Sequence, residues 1–322
     1  MTKIEEITTC IQKDLHDFEN MFSDAFSQEK SALGDMLTYL LTLKGKRIRP
    51  MLTLLVAASF AKISVSTIRA AVIIELLHTA SLLHDDVIDE SFYRRNEKTL
   101  NAIWDNRASI LVGDYLYGKA LALIKTQEDF NLMPVFAKIA MDLPKGEIGE
   151  MEVTNTKSTS KDQYLKIIYE KTASLIEAST MCGALTCKAQ NVDLDKIREL
   201  GHNIGMAFQI KDDLLDYLEN TGKKKGADIR EKKITLPLIY YMETLTEKEK
   251  EETLSFLYSD NKEQKEIDLL IEKITQSGVI SRSQQEVDYY STRAKNIVST
   301  FPKNIYSQSL IKLVEYLTER NI

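Results

Sequence analysis

The chain has 322 residues, of which 43% are hydrophobic and 28% are charged, and it contains only 12 Gly and 5 Pro. So few chain-breaking residues argue against an all-β protein, collagen-like repeats and low-complexity disorder. The formal net charge of −6 argues against a duplex-DNA binder, because such proteins usually carry a basic surplus, and we expect no nucleic-acid partner.

Apolar residues recur at three- and four-residue intervals along most of the chain, which predicts helices. In chain order, the predicted helices cover residues 70–90, 107–125, 130–142, 162–189, 195–219, 234–258, 264–276 and 305–320. The predicted breaks between them lie at residues 44–50, 94–98, 155–160 and 220–228. Because no Pro/Gly/Ser-rich linker divides the sequence, we expect one all-α domain over residues 1–322.

The cysteines and the apolar stretches indicate in which cellular compartment the protein is found. Cys10, Cys182 and Cys187 are odd in number and lack zinc-ligand spacing, which favours a reducing compartment. The N-terminal residues show no secretory pattern, and the longest apolar stretches, 51–61 and 70–83, are interrupted and too short to span a bilayer. We therefore expect a cytoplasmic protein.

The most informative pattern occurs twice, as Asp85-Asp86-x-x-Asp89 and as Asp212-Asp213-x-x-Asp216. On a helix, positions i, i+1 and i+4 lie within an arc of roughly 100°. One such cluster is often no more than a solvated acidic face. Two matched clusters, each following an apolar helical run, are a much stronger indication of a site.

Three carboxylates so close together repel one another and are costly to keep ionised without cations. Ligand sets made only of oxygen suit Mg²⁺ or Mn²⁺ rather than zinc, and Mg²⁺ completes its shell with water and phosphate oxygens. The two clusters therefore predict a di- or triphosphate held by several metal ions.

Basic residues lie close to both clusters in sequence. Four cations occupy six residues at 44–49, where Gly45 and Pro50 mark a bend that can present Lys46 and Arg49 inward. Arginine suits bidentate contacts with phosphate, and lysine supplies a point charge. The other candidates near the two clusters are Arg94, Arg95, Lys171, Thr172 and Lys223.

Two further observations leave alternatives open. His78 lies two helical turns before Asp85, where it is either a hydrogen-bonded core residue or a phosphate contact. Glu75-x-x-His78 and Glu199-x-x-His202 have the spacing of di-iron carboxylate bundles. A di-iron site, however, leaves both aspartate clusters and the basic residues unexplained.

These segments resemble the all-trans polyprenyl diphosphate synthase family, in particular its longer-chain members (hexa- to octaprenyl and solanesyl types). The resemblance runs from LKGKRIRP (43–50) through ELLHTASLLHDDVIDES and GMAFQIKDDLLDY to KKITLP (232–237). It implies one large helical bundle of the isoprenoid synthase type with a central cavity. It also implies a homodimer in the cytoplasm that makes transient membrane contact for product release.

The resemblance further implies Mg²⁺-dependent condensation of isopentenyl diphosphate with an allylic prenyl diphosphate, with several ions in each active site. The six implied metal ligands are Asp85, Asp86, Asp89, Asp212, Asp213 and Asp216. The implied isopentenyl diphosphate contacts are Lys46, Arg49, His78 and Arg95, with Phe208 packed near the isopentenyl unit. The implied allylic diphosphate contacts are Arg94, Lys171, Lys223 and Lys233, while Thr172 and Gln209 position the allylic cation.

Product length is predicted from the helix below the first cluster. Ala80 and Ser81 are small where short-chain relatives place an aromatic floor, so a growing tail can run past Leu77, Ile74 and Ile73. This predicts a C30–C45 product of the quinone-tail kind. Three alternatives remain: Ala80 and Ser81 are only packing residues, the enzyme is a C15–C20 synthase, or the chain is a non-catalytic subunit of a hetero-oligomer.

Four residues depart from the family pattern. Lys44 and Asn96 stand where Gly is usual, Glu150 where Gln is common, and Lys224 where Pro is usual. None of the four removes an implied metal ligand or phosphate-binding cation.

Overall fold

A computed structural model describes residues 2–26, 30–43, 45–94, 96–190, 192–218 and 225–318. Within these ranges the regular structure is helical apart from one hairpin of two-residue strands, β1 (Tyr93–Arg94) and β2 (Glu97–Lys98). The all-α prediction is confirmed.

The helices of the amino-terminal part flank that hairpin. They are α1 Lys3–Thr8, α2 Gln12–Phe26, α3 Ala32–Thr42, α4 Ile48–Phe60, α5 Val65–Ile88, α6 Leu100–Ile103, α7 Asn106–Ala122, α8 Gln127–Phe130 and α9 Met133–Thr156. A 3₁₀ turn, Thr9–Ile11, separates α1 from α2.

The rest of the described chain is also helical. Its helices are α10 Lys161–Ile168, α11 Ser174–Thr186, α12 Leu194–Leu215, α13 Ala227–Arg230, α14 Leu236–Glu243, α15 Glu247–Leu257, α16 Gln264–Gln276, α17 Val279–Ser299 and α18 Ile305–Thr318. A five-residue π-helix, Tyr169–Ala173, joins α10 to α11.

The chain forms two compact units, each assembled from three separate segments. The first unit consists of Met1–Ala140, Ala178–Arg198 and Ser299–Leu310. The second unit consists of Met141–Glu177, Glu199–Val298 and Ile311–Ile322. The single domain over residues 1–322 stays a prediction.

Helix α5 is the core of the first unit. It packs against α2, α4 and α7, and Ile74, Leu76 and Ala80 are fully buried. The helix starts five residues before the predicted position because Ser64 caps it, accepting a hydrogen bond from the Thr67 backbone N–H at 3.1 Å. This buried helix delivers the first aspartate cluster at its C-terminal end.

The length of α5 corrects one expectation. Of the helices in the described ranges, Val65–Ile88 alone is long and apolar enough to cross a membrane, so the stretch is longer than predicted. However, 67% of its most apolar window is buried inside the protein. A core helix passes the same test, so the finding is weak support for a membrane span.

The second unit has its own hydrophobic core around the C-terminal half of α12. Ile210, Leu214 and Tyr217 are fully buried there, together with side chains from α14 and α16 such as Leu238 and Ile274. This packing fixes the end of α12, where the second aspartate cluster lies.

Several predicted boundaries are wrong. The helix predicted to end at residue 142 continues to Thr156 through Pro144, because buried side chains on both sides of the proline outweigh one lost backbone hydrogen bond. The helix predicted over 234–258 is two helices, the second starting at a Thr246 cap. The helix predicted over 162–189 is interrupted by the π-helix.

Helix α17 was missed because its buried face contains serines. Val279, Ser283, Val287 and Ser291 lie on this face at four-residue spacing. Because every second residue of this face is a serine, apolar residues do not recur at the three- and four-residue intervals from which a helix is predicted.

Candidate functional site

The first aspartate cluster lies at the C-terminal end of α5. Asp85 and Asp86 occupy the last turn, and Asp89 follows the helix as its C-cap. Asp86 is buried, with 4% of its surface exposed, and this burial raises the pKa of its carboxyl group against the opposing effect of Arg94. Carboxylates at the negative end of a helix are unfavourable by themselves, so the cluster suits a bound cation.

The hairpin that follows α5 brings Arg94 to this cluster. Two guanidinium nitrogens of Arg94, Nε and a terminal nitrogen, lie 2.8 Å from Oδ1 of Asp86. The turn of the hairpin has Asn96 at φ +68°, a left-handed conformation that Gly and Asn tolerate. Asn96, which stands where Gly is usual, therefore preserves the turn. Arg95, the other arginine predicted here, lies outside the described residues.

One residue of the basic segment at the start of α4, Arg47, has a structural role. Arg47, at the N-cap of α4, pairs with Glu19 at 2.9 Å and with Glu75 at 3.0 Å, and its guanidinium lies 4.4 Å from the centre of the Phe22 ring. Arg47 thus holds the segment against α2 and α5. Lys46 is exposed and Arg49 is half-buried, whereas Lys44 lies outside the described residues.

Further along α5, His78 is half-buried on the same helix as the first cluster. Its backbone carbonyl accepts a hydrogen bond of 2.9 Å from the Ser81 hydroxyl. Of the predicted chain-length residues, Ala80 has 0% and Leu77 4% of its surface exposed, whereas Ser81 is half-buried. Ser81 is therefore the more open of the two small positions.

The di-iron alternative finds little support in the side chains of either unit. The Glu75 carboxylate is paired with Arg47, and Glu199 is paired with Arg293. His202 lies between two tyrosine rings, with centroids 5.3 Å and 6.1 Å away. Both glutamates thus neutralise arginines instead of presenting a free ligand.

The second cluster lies at the end of α12 and is tied into a hydrogen-bond chain. Asp213, 8% exposed, accepts hydrogen bonds from Tyr164 Oη at 2.5 Å and Gln209 Nε2 at 2.7 Å. Thr172 Oγ1 in turn donates to Gln209 Oε1 at 2.8 Å. Burial raises the pKa of the Asp213 carboxyl to about 7. Asp212 is exposed, and Phe208 is half-buried.

Asp216 is held by backbone groups. Its carboxylate accepts hydrogen bonds from the backbone N–H groups of Ala227 at 2.9 Å and Asp228 at 3.0 Å, at the start of α13. Burial raises the pKa of Asp216, whereas these two bonds oppose the rise. Sequence patterns did not predict the hydrogen bond between Asp216 and the backbone of Ala227, eleven residues later. They also did not predict the contact of Tyr164 with Asp213.

The π-helix carries Lys171 and Thr172. Lys171 Nζ lies 2.7 Å from Glu147 Oε2 and also contacts Glu150, both on α9. Short π-helical segments are often found at functional positions. Lys233 is half-buried and donates to Glu231 at 2.7 Å. Lys223 and Lys224 lie outside the described residues.

The donor chemistry of the two clusters fits Mg²⁺. Both are made of carboxylates at the end of a buried helix, and burial raises the pKa of Asp86, Asp213 and Asp216. Across the described ranges, however, no group of three or more His, Cys, Asp and Glu side chains is arranged to hold a metal ion by itself. Ions at these carboxylates would need further oxygens from water or substrate.

The chain is all-α in its described residues and has Asp-Asp-x-x-Asp at the ends of two buried helices, with basic side chains beside each. These features define the class of trans-prenyl diphosphate synthases that the sequence resembles. The comparisons agree. The family model "Polyprenyl synthetase" matches residues 30–274, which is more than half of the chain. The chain is therefore a member of the polyprenyl synthetase family.

Individual relatives are similar over their full length. An octaprenyl diphosphate synthase of Haemophilus influenzae is 31% identical over 100% of this chain and 98% of its own. The structure of a decaprenyl diphosphate synthase from Rhodobacter capsulatus matches with a TM-score of 0.92 and 29% identity, covering 98% and 99% of the two chains. A geranylgeranyl pyrophosphate synthetase from Pyrococcus horikoshii matches with a TM-score of 0.90 and 26% identity, covering 99% and 100%. The protein is a prenyltransferase with isoprenoid diphosphate substrates.

Proposed function

We propose that this enzyme uses Mg²⁺ to condense isopentenyl diphosphate with an allylic prenyl diphosphate, and that repeated condensation makes an all-trans polyprenyl diphosphate of C30–C45 for quinone side chains. The observation that carries the proposal is the pair of Asp-Asp-x-x-Asp helix ends, at Asp85–Asp89 and Asp212–Asp216, each with basic side chains nearby. The relatives named as octaprenyl and decaprenyl synthases support the long chain.

The six aspartates are the proposed ligands of several Mg²⁺ ions, with Mn²⁺ as a substitute. Bound at these carboxylates, Mg²⁺ would supply neutralisation of the charge on the diphosphate leaving group. Arg94, whose guanidinium lies 2.8 Å from Asp86, is proposed to contact the same diphosphate. Lys171, Lys223 and Lys233 complete the proposed allylic diphosphate site.

Isopentenyl diphosphate is proposed to bind to Lys46, Arg49, His78 and Arg95, with Phe208 near its carbon chain. Lys46 is exposed and Arg49 half-buried, whereas Arg47 between them is engaged with Glu19 and Glu75. The proposal rests on the position of these residues at the start of α4, with Arg47 fixing the backbone through its two carboxylate partners.

Thr172 and Gln209 are proposed to stabilise the allylic cation. The Thr172 hydroxyl hydrogen is committed to Gln209 Oε1, and the Gln209 amide is itself oriented by Asp213. The Thr172 oxygen therefore keeps its lone pairs for a positive centre. The double bond of isopentenyl diphosphate attacks this cation, and the proton lost from the new allylic unit passes to the released diphosphate.

We further propose that the enzyme is a cytoplasmic homodimer that touches membranes only to release its product. Exposed apolar residues on α7 support self-association, among them Leu111 with 66% and Ile110 with 43% of their surface exposed. Leu111→Glu is expected to convert a dimer to a monomer in analytical ultracentrifugation, whereas Lys119→Glu on the same helix leaves the mass unchanged. An unchanged dimer in Leu111→Glu would contradict the use of this face.

The decisive experiment is incubation of the pure protein with isopentenyl diphosphate, Mg²⁺ and C5, C10, C15 or C20 allylic primers, followed by mass measurement of the product. We expect products of C30 or longer, and none from Asp86→Asn. A product that stops at C15 or C20 favours the short-chain alternative, in line with the geranylgeranyl pyrophosphate synthetase that shares the fold. Absence of product with every primer contradicts catalysis by this chain alone and favours a subunit of a hetero-oligomer.

A further inference from the structure

Two carboxylates of α9 share the ammonium group of Lys171. Glu147 Oε2 lies 2.7 Å from Lys171 Nζ, and Glu150 contacts the same nitrogen from the next turn of the helix. Because the two glutamates are three residues apart, they lie on one face of α9. Both belong, with Lys171, to the second unit.

A close approach of α9 to the π-helix keeps this arrangement in place. A Cβ atom at Gly146 would lie 2.6 Å from Lys171 Cγ and 2.7 Å from the Lys171 backbone nitrogen. Only a glycine allows the Lys171 stem to lie so near the α9 backbone. The ammonium group is thus directed to the carboxylates and not into solvent, and the side chain is 23% exposed.

The two glutamates differ in their surroundings. The side chain of Glu147 is 10% exposed, whereas that of Glu150 is 25% exposed. One ammonium and two carboxylates carry a formal net charge of −1, which is one negative charge more than neutralises the lysine. Glu150 is the more exposed of the two carboxylates, and its negative charge acts on any anionic substrate that approaches Lys171.

We infer that Glu150 tunes substrate affinity by competing with the allylic diphosphate for Lys171. The inference rests on the proposed function, in which Lys171 contacts that diphosphate. In the absence of substrate, Glu150 and Glu147 both hold the ammonium group. When a diphosphate reaches Lys171, the Glu150 carboxylate repels it, so the enzyme binds the allylic diphosphate more weakly and releases it more readily.

The test measures the binding of a C15 allylic diphosphate by calorimetry with Mg²⁺ present and isopentenyl diphosphate omitted, so that no elongation occurs. Glu150→Gln removes one negative charge and keeps a carbonyl oxygen in the same place. We expect the dissociation constant of this variant to fall about three- to tenfold, the size of a partly exposed charge interaction. Glu152→Gln, an exposed position on the same helix, is expected to bind as the unaltered protein does.

Lys171→Gln separates this inference from the proposed function. We expect Lys171→Gln to bind the diphosphate more weakly, and we expect Glu150→Gln to have little effect when Lys171 is already replaced, because the two residues act on one contact. If Lys171→Gln weakens binding while Glu150→Gln leaves binding unchanged or weakens it, Glu150 does not compete with the diphosphate and the inference is wrong, although the proposed function stands. If neither change alters binding, the proposed role of Lys171 fails and the inference fails with it.

Discussion

Arg47 shows how one residue of a basic segment differs from its neighbours. It lies at φ +53° and joins Glu19 and Glu75, and the latter is buried with 5% of its surface exposed. A buried carboxylate that loses its partner is strongly destabilising, because the desolvated charge stays in the protein. Arg47 is therefore expected to contribute to the stability of the folded protein.

Replacing Arg47 by Gln is predicted to lower the free energy of unfolding by about 3 kcal/mol. Arg198 is the matched control, since it pairs with Asp195 at 2.9 Å with half or more of each side chain exposed. Arg198→Gln is expected to cost less than about 1 kcal/mol. Urea denaturation of both variants measures the difference, and equal losses would contradict a structural role for Arg47.

Sequence patterns reveal some residues of the site and miss others. The sequence indicates Arg94, five residues after the first aspartate cluster, as a phosphate contact, and in the structure its guanidinium lies 2.8 Å from Asp86. The contact of Tyr164 with Asp213 spans 49 residues and that of Lys171 with Glu150 spans 21. Contacts of this kind depend on how helices pack, which no local period encodes.

Among the elements, the crossing of α11 and α4 in the first unit depends on one glycine. A Cβ atom at Gly183 would lie 2.4 Å from the backbone oxygen of Thr53, which cannot move without shifting the helix. Gly183→Ala is therefore predicted to lower the free energy of unfolding by about 1–3 kcal/mol.

Gly118 on α7 provides the control for this prediction. Among the described residues, no atom lies within 4 Å of a Cβ atom placed there. Gly118→Ala should therefore raise the free energy of unfolding by about 0.5–1 kcal/mol through helix propensity alone. Chemical denaturation of the two variants should give changes of opposite sign, and a stabilised Gly183→Ala would show that α4 and α11 can separate at no cost.

The exposure of α5 refines the prediction on product length. Ala80 is fully buried, so a phenylalanine there would overpack the core as well as block a tail, whereas Ser81 is half-buried. Ser81→Phe is predicted to shorten the product with a melting temperature close to that of the unaltered enzyme. Mass analysis of the products measures this effect.

Ser81→Ala is the companion variant, because it removes the hydroxyl without adding bulk. It should leave the product length unchanged. If Ser81→Phe also gives products of the original length, the floor model for this helix is wrong.

Sequence patterns located most of the long helices after residue 64, but neither the four helices before it nor the points where helices end or bend. The helix over 264–276 was predicted to the residue, because its apolar stripe is regular. Helix α9 was predicted too short, since Pro144 usually ends a helix, and α17 was missed because serines lie on its buried face. The fold class followed from periodicity, whereas these details depend on packing between distant segments.

The stability of the folded protein should respond to metal and diphosphate together. No group of described His, Cys, Asp and Glu side chains is arranged to hold an ion alone, so Mg²⁺ by itself is expected to change the melting temperature little. Mg²⁺ with inorganic diphosphate at 100 times its dissociation constant should stabilise the protein by about 2.7 kcal/mol and raise the melting temperature by several degrees.

Asp86→Asn should lose most of this rise, and a chelator should abolish it in the unaltered protein. Asp195→Asn, a change at an exposed aspartate, should keep it. Differential scanning calorimetry measures each of these conditions. A full rise in Asp86→Asn would contradict the assignment of the first cluster as a metal site.

The π-helix at Tyr169–Ala173 also limits how segments of this enzyme can be exchanged with those of other synthases. Such a segment holds one residue more than an α-helix would in the same length, so it rotates the helix after it relative to the helix before it. A chimera that joins α10 of one synthase to α11 of another must keep the additional residue. Deleting it would turn Lys171 and Thr172 about 100° away from Glu147 and Gln209 even if these four residues were all kept.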